Sequence, residues 1–191
     1  MNDSTPATLL SHDTLVMQQI TGFMSNDFDI LDASGDQVIG HVTTGGSGIS
    51  RALAGSRSLD VADADGTPLL HVQDPTGIGF DRFELSAPDG TPVADVRKRF
   101  SMLRTKVDLT LGDGTVVALT GNVLGHEFEY AINGSVAARV SRKWGGIARG
   151  LLGHSRYVLA IDPTVPPGLR LTIIGGTIAL DLIRQKEQNN G

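Results

Sequence analysis

Apolar and polar residues alternate with a period of two along most of this 191-residue chain. In 105–111, Thr105, Val107, Leu109 and Leu111 fall on one side, and Lys106, Asp108 and Thr110 on the other. That alternation is what a strand with one buried and one wet face requires. The same pattern turns Phe128, Tyr130 and Ile132 inward and Glu127 and Glu129 outward; Val136, Ala138 and Val140 face inward on the returning strand. Five Gly-centred turns punctuate the runs: Asp32-Ala33-Ser34-Gly35, Asp65-Gly66, Asp89-Gly90, Asp113-Gly114 and Asn133-Gly134. Asp-Gly and Asn-Gly supply residues with φ > 0, as tight two-residue hairpins need. Nine further segments complete a meander of about twelve strands: Thr14–Gln19, Phe28–Asp32, Val38–Val42, Leu59–Ala62, Leu69–Gln73, Phe80–Ser86, Val93–Lys98, Val116–Thr120 and Tyr157–Ile161.

The period changes after Pro166-Pro167-Gly168, where Leu169–Lys186 reads as a helix. Leu171–Leu180 holds no charge, and only Arg170 and Asp181 interrupt the apolar run through Ile183. A helix apolar nearly all round is buried. The run is shorter than the ~20 residues of a membrane span, and Gly175-Gly176 sits in its middle. The expectation is a core helix inside a closed sheet, with glycine letting strand side chains approach its backbone. The fold is therefore mainly β: a single twelve-stranded antiparallel closed barrel around a central hydrophobic C-terminal helix. A barrel of that many strands has an interior that its own side chains do not fill. Residues 1–13, polar with Pro6, read as a flexible arm; 14–187 form the barrel domain with its helix at 169–186, and 188–191 are a flexible tail.

Composition adds limits. Glycine, at 24 of 191 residues, is in excess of the usual ~7%, as a chain of many hairpins needs. The absence of cysteine excludes disulfides, thiolate metal sites and Cys nucleophiles, and fits a reducing cytoplasm. Met1–Pro6 has no basic segment followed by an apolar one, so no secretory signal is expected. Net charge is −5 but uneven: residues 1–96 carry 14 acids and 3 bases, and residues 97–156 carry 4 acids and 10 bases. The basic segment points to an anionic partner; solvated strand faces and edge protection are the plainer reading.

Catalytic and metal-binding patterns are missing. Aligning Gly66 with the glycine of a calcium loop puts Val61 and Val72 where carboxylates are needed. The five histidines, at 12, 41, 71, 126 and 154, lack zinc spacing, and each reads as a surface or strand histidine. There is no nucleophile elbow and no phosphate loop. Aromatic content is 5%, and Phe128 and Tyr130 face the core, so nucleic acid is not an expected partner. No catalytic residue, metal or cofactor is assigned.

The order of parts resembles the tubby C-terminal-like superfamily, which includes LURP-one-related proteins and phospholipid scramblases. The likeness rests on Leu15-Val16-Met17-Gln18-Gln19 with Phe28-Asp29-Ile30-Leu31-Asp32 and Gly35; on Leu59-Asp60-Val61 with Asp63, Gly66 and Pro68-Leu69-Leu70; on Val140-Ser141-Arg142-Lys143-Trp144-Gly145-Gly146; and on Tyr157–Asp162 with Ala179-Leu180-Asp181. It covers roughly residues 14–186. The resemblance implies a twelve-stranded barrel around its last helix and association with lipid or membrane. Arg149–Tyr157 lacks the acids of a scramblase-like calcium site, so calcium-driven scrambling does not carry over. The expected function is a non-enzymatic module, cytoplasmic or peripheral at the membrane, that binds anionic phospholipid head groups. Arg97, Lys98, Arg99, Arg142, Lys143, Arg149 and Arg156 are its candidate contacts. The alternatives are a structural or protein-interaction barrel that binds no lipid, and scramblase-like lipid movement.

Overall fold

The computed structural model describes residues 8–18, 27–45, 58–75, 82–100, 105–122, 125–142 and 156–190. After α1 (Thr8–Ser11) come twelve strands: β1 (Thr14–Gln18), β2 (Phe28–Leu31), β3 (Val38–Thr44), β4 (Ser58–Asp63), β5 (Pro68–Gln73), β6 (Arg82–Ser86), β7 (Pro92–Phe100), β8 (Thr105–Leu111), β9 (Val116–Asn122), β10 (Glu127–Ile132), β11 (Ser135–Ser141) and β12 (Arg156–Ile161). The last element is α2 (Pro167–Asn190). The strands pair antiparallel in chain order and close into a barrel through β1 and β12. Alternation has the predicted outcome: Val107, Leu109, Phe128, Tyr130, Ala138 and Val140 are buried, and Leu111, Ile132 and Val136 are half-buried.

Helix α2 is the axle of the barrel. Ile173, Ile174, Ile178, Leu182 and Ile183 are at most 1% exposed and belong to one core cluster with the inward residues of the strands. Each such side chain contributes about 1.5–3 kcal/mol as an upper figure. The helix begins two residues before the expected start and runs to Asn190, into the residues expected as a tail. Among the described residues, no helix is long and apolar enough to cross a membrane. Arg170 fastens the start of the helix. Its guanidinium, buried in a residue 6% exposed, donates to Val165 O (2.9 Å), His12 O (3.1 Å), Asp13 Oδ1 (2.6 Å), Asp162 O (3.3 Å) and Pro163 O (3.2 Å).

Two expectations are corrected. Residues 8–11, expected in a loose arm, form α1. Leu9 is fully buried, its N–H donates to Asp63 Oδ1 at 3.0 Å, and its methyls occupy the space a side chain on Gly40 would take. Residues 1–7 lie outside the described residues. The three Asp-Gly-Thr turns are not two-residue loops. In each, the glycine N–H bonds back three residues (Gly66 to Asp63 O, Gly90 to Ala87 O, Gly114 to Leu111 O) and only the glycine has φ > 0. This is the three-residue loop of a type I turn closed by a left-handed glycine. The aspartate adds a bond of its own, to the N–H of Thr67 (2.8 Å), Thr91 (2.9 Å) or Thr115 (2.8 Å), which lowers the carboxyl pKa of Asp65, Asp89 and Asp113. Asn133-Gly134 is the true two-residue turn, with φ of 50° and 82°.

Candidate functional site

Antiparallel pairing in chain order makes successive strand ends alternate between two rims. The five Gly-centred turns and the start of α2 lie at one, the turn rim. The other is the helix-exit rim, because Asp181 and Arg184 of α2 reach Tyr157 near the start of β12 and His126 just before β10. The turn segments are acidic, and several bases lie toward the other rim, beside Asp27, Asp74 and Glu127. Segments 32–37, 63–67, 87–91, 112–115, 133–134 and 162–166 at the turn rim contain Asp32, Asp36, Asp63, Asp65, Asp89, Asp113 and Asp162, and no Lys or Arg. Arg97, Lys98 and Arg99 stand near the end of β7, Arg142 just past β11 and Arg156 at the start of β12, all toward the helix-exit rim.

The candidates do not all share a surface. β11 and β12 are neighbours, which brings Arg142 and Arg156 together; β8, β9 and β10 separate them from β7. Arg97 points outward, 49% exposed, with Asp95 at 3.9 Å. Lys98 follows the inward side of its strand and is 4% exposed. The side chain of Arg99, and Lys143 and Arg149 entirely, lie outside the described residues. Glu127 holds the edge beside Arg142: its Oε2 accepts from Ser141 Oγ (2.9 Å) and its Oε1 from Arg142 N (3.0 Å). On the other flank of β12, Arg156 borders a groove of about 350 Å3 with Gln18, Asp27, Asp29, His41 and Thr43 above an apolar floor of Val16 and Leu31.

A buried polar cluster sits inside this rim. Asp181, 2% exposed, accepts from Tyr157 OH through Oδ2 (2.9 Å) and is bonded through Oδ1 to His126 Nε2. Arg184 Nη1 lies 2.7 Å from His126 Nδ1, and the His126 ring stacks on Tyr157 with centroids 4.3 Å apart. One turn deeper, Tyr130 OH meets Thr177 Oγ1 at 2.8 Å. Burial, and then the charge of Asp181, push Tyr157 well above its ordinary pKa; burial does the same to Tyr130. Both phenols therefore stay protonated. Burial, and then the like charge of Arg142, hold the Arg184 guanidinium below its usual value.

Sequence reasoning missed this cluster. His126 is neither a surface nor a strand histidine: it is 3% exposed in the turn before β10. His41 and His71 are half-buried on β3 and β5, paired with Asp29 (2.7 Å) and Asp60 (2.5 Å). The signal available was Asp181, a carboxylate in an otherwise apolar helix, which demands buried partners. Among the described residues, no group of three or more His, Asp and Glu side chains could hold a metal ion.

The sequence model of the family described as LURP-one-related matches residues 13–181. No curated protein matches the chain. A solved X-ray structure of a protein from Arabidopsis thaliana is similar at 19% identity, covering 69% of this chain and 85% of that one, with a TM-score of 0.36.

Proposed function

The chain belongs to the LURP-one-related family, and from that premise we propose that it is a non-enzymatic module that docks on anionic membrane surfaces or lipid head groups through its helix-exit rim. The observation that carries the reading is the division of charge between the rims. A protein of net charge −5 approaches an anionic leaflet only in an orientation that keeps its acids away. With seven aspartates in the segments of the turn rim, and Arg97, Arg142 and Arg156 toward the opposite one, where Asp27, Asp74 and Glu127 also lie, the orientation with the turn rim turned away is preferred. Each Lys or Arg near such a surface contributes roughly 1 kcal/mol, and salt screens the attraction. Arg99, Lys143 and Arg149 are proposed as further contacts.

Co-sedimentation with vesicles of phosphatidylserine and phosphatidylcholine, against phosphatidylcholine alone, tests the reading. Binding should require the anionic lipid and weaken steeply with salt. Arg142→Glu with Arg156→Glu should lower affinity by about tenfold or more, since two favourable charges become unfavourable. Equal binding to both vesicles, or to neither, defeats the proposal. A specific observation supports the second reading, a structural or protein-interaction barrel: β8–β10 divide the bases into two groups, and Arg97 and Arg139 face acids of their own sheet. No binding to either vesicle is its expected result.

A further inference from the structure

His126 is fixed by its side-chain partners. Its backbone is left-handed, with φ of 56°, a conformation uncommon outside glycine that histidine adopts more readily than most residues. The side chains that hold the ring come from two other elements. Nδ1 faces Arg184 Nη1 at 2.7 Å, Nε2 faces Asp181 Oδ1, and the ring lies on Tyr157.

The donors settle the proton count. Arginine only donates, so Nδ1 accepts from Arg184. The single ring proton then belongs on Nε2, donated to Asp181. This is the neutral Nε2–H tautomer, assigned from hydrogen-bond logic. A second proton can enter only at Nδ1, where it meets the Arg184 N–H. Asp181 is a good partner for an imidazolium; Arg184 is not.

We infer that His126 is an acid-operated latch: protonation keeps its bond to Asp181, evicts Arg184, and unfastens the last turns of α2 at the helix-exit rim. The charged and titratable groups around it, among the described residues, agree on the direction. Asp181 and Arg184 face it from α2 and Tyr157 from β12. Arg142, past β11, acts on both Tyr157 and Arg184 as a positive charge. Glu127, next in the chain, is turned toward Ser141 and the backbone of Arg142. Tyr130 lies deeper, on Thr177. A third positive charge beside Arg142 and Arg184 is relieved by the departure of Arg184, which is only half-buried while His126 is sealed. A proton on Nδ1 puts two N–H donors face to face, and release of Arg184 removes that clash. The latch stands apart from the docking reading, because its test contains no lipid.

The test uses the full chain. Imidazole 15N shifts report the ring, and amide hydrogen exchange over residues 184–190 reports the helix end, from about pH 8 to about pH 5. At the upper end His126 should show the Nε2–H tautomer. As Nδ1 takes up its proton, exchange over 184–190 should rise about tenfold, the worth of one hydrogen bond. Arg184→Leu, which leaves the Asp181–His126–Tyr157 bonds in place, should exchange fast throughout and lose the pH step. His126→Asn, able to adopt the same backbone, should also lack it; if that variant does not fold, Arg184→Leu decides alone. An Nδ1–H tautomer at high pH, a ring that takes up no second proton, protonation without a change in exchange, or an equal step in Arg184→Leu would each overturn the latch.

Discussion

Two tyrosines carry all the phenolic chemistry of the chain, and both are sealed in the barrel. Tyr157 donates a hydrogen bond to Asp181, and Tyr130 shares one with Thr177. Their raised pKa values have a direct consequence for stability. Below about pH 10 the phenols are protonated in both folded and unfolded chains, and stability does not depend on them. Above it the unfolded chain ionises first, so stability falls by roughly 1–1.5 kcal/mol per pH unit for each tyrosine. In an alkaline titration, tyrosinate absorbance should therefore appear together with loss of β-sheet circular dichroism. Tyrosinate forming in a protein that is still folded near pH 11 would show that the ring sites are open to water.

At the scale of elements, the two adjacent glycines in the middle of α2 separate packing from propensity. A Cβ on Gly175 would overlap a methyl of Leu70 and come within 3.2 Å of Leu85; one on Gly176 would rest 3.5 Å from Leu109 and Tyr130 OH, an ordinary contact. Gly176→Ala should stabilise by about 0.5–1 kcal/mol through helix propensity. Gly175→Ala should instead cost about 1–3 kcal/mol through overpacking. Equal shifts of the urea midpoint in the two variants would mean that the helix is not gripped at Gly175. That grip, the twelve strands and the closed barrel were legible in the sequence, because alternation records which face of a strand is buried and an uncharged helix has nowhere else to go. The turn class was not, since Asp-Gly serves both two- and three-residue loops and the choice depends on the register beyond them. Nor was α1, whose anchor is the space left by Gly40. His126 escaped because its partners Asp181 and Arg184 are 55 and 58 residues away, and no spacing rule connects a turn to the far end of a helix.

For the molecule as a whole, closure and the axle are one event. The ring is weakest between β1 and β2, where Val16↔Leu31 is the register pair, whereas β1 meets β12 along Thr14–Gln18. What keeps β1 in place from within is α2: Arg170 binds the backbone of His12 and the carboxylate of Asp13 immediately before the strand. Removing α2 therefore takes away the filling and the fastening together. An empty twelve-stranded ring would leave an apolar interior open to water, with the inward residues of every strand deprived of partners. A chain ending at Gly168 should lose its cooperative thermal transition and bind a hydrophobic dye, though each of its hairpins retains its turn. A shortened protein that melts cooperatively with native strand content would prove the helix a passenger, and the barrel would then need another account of how its interior is filled.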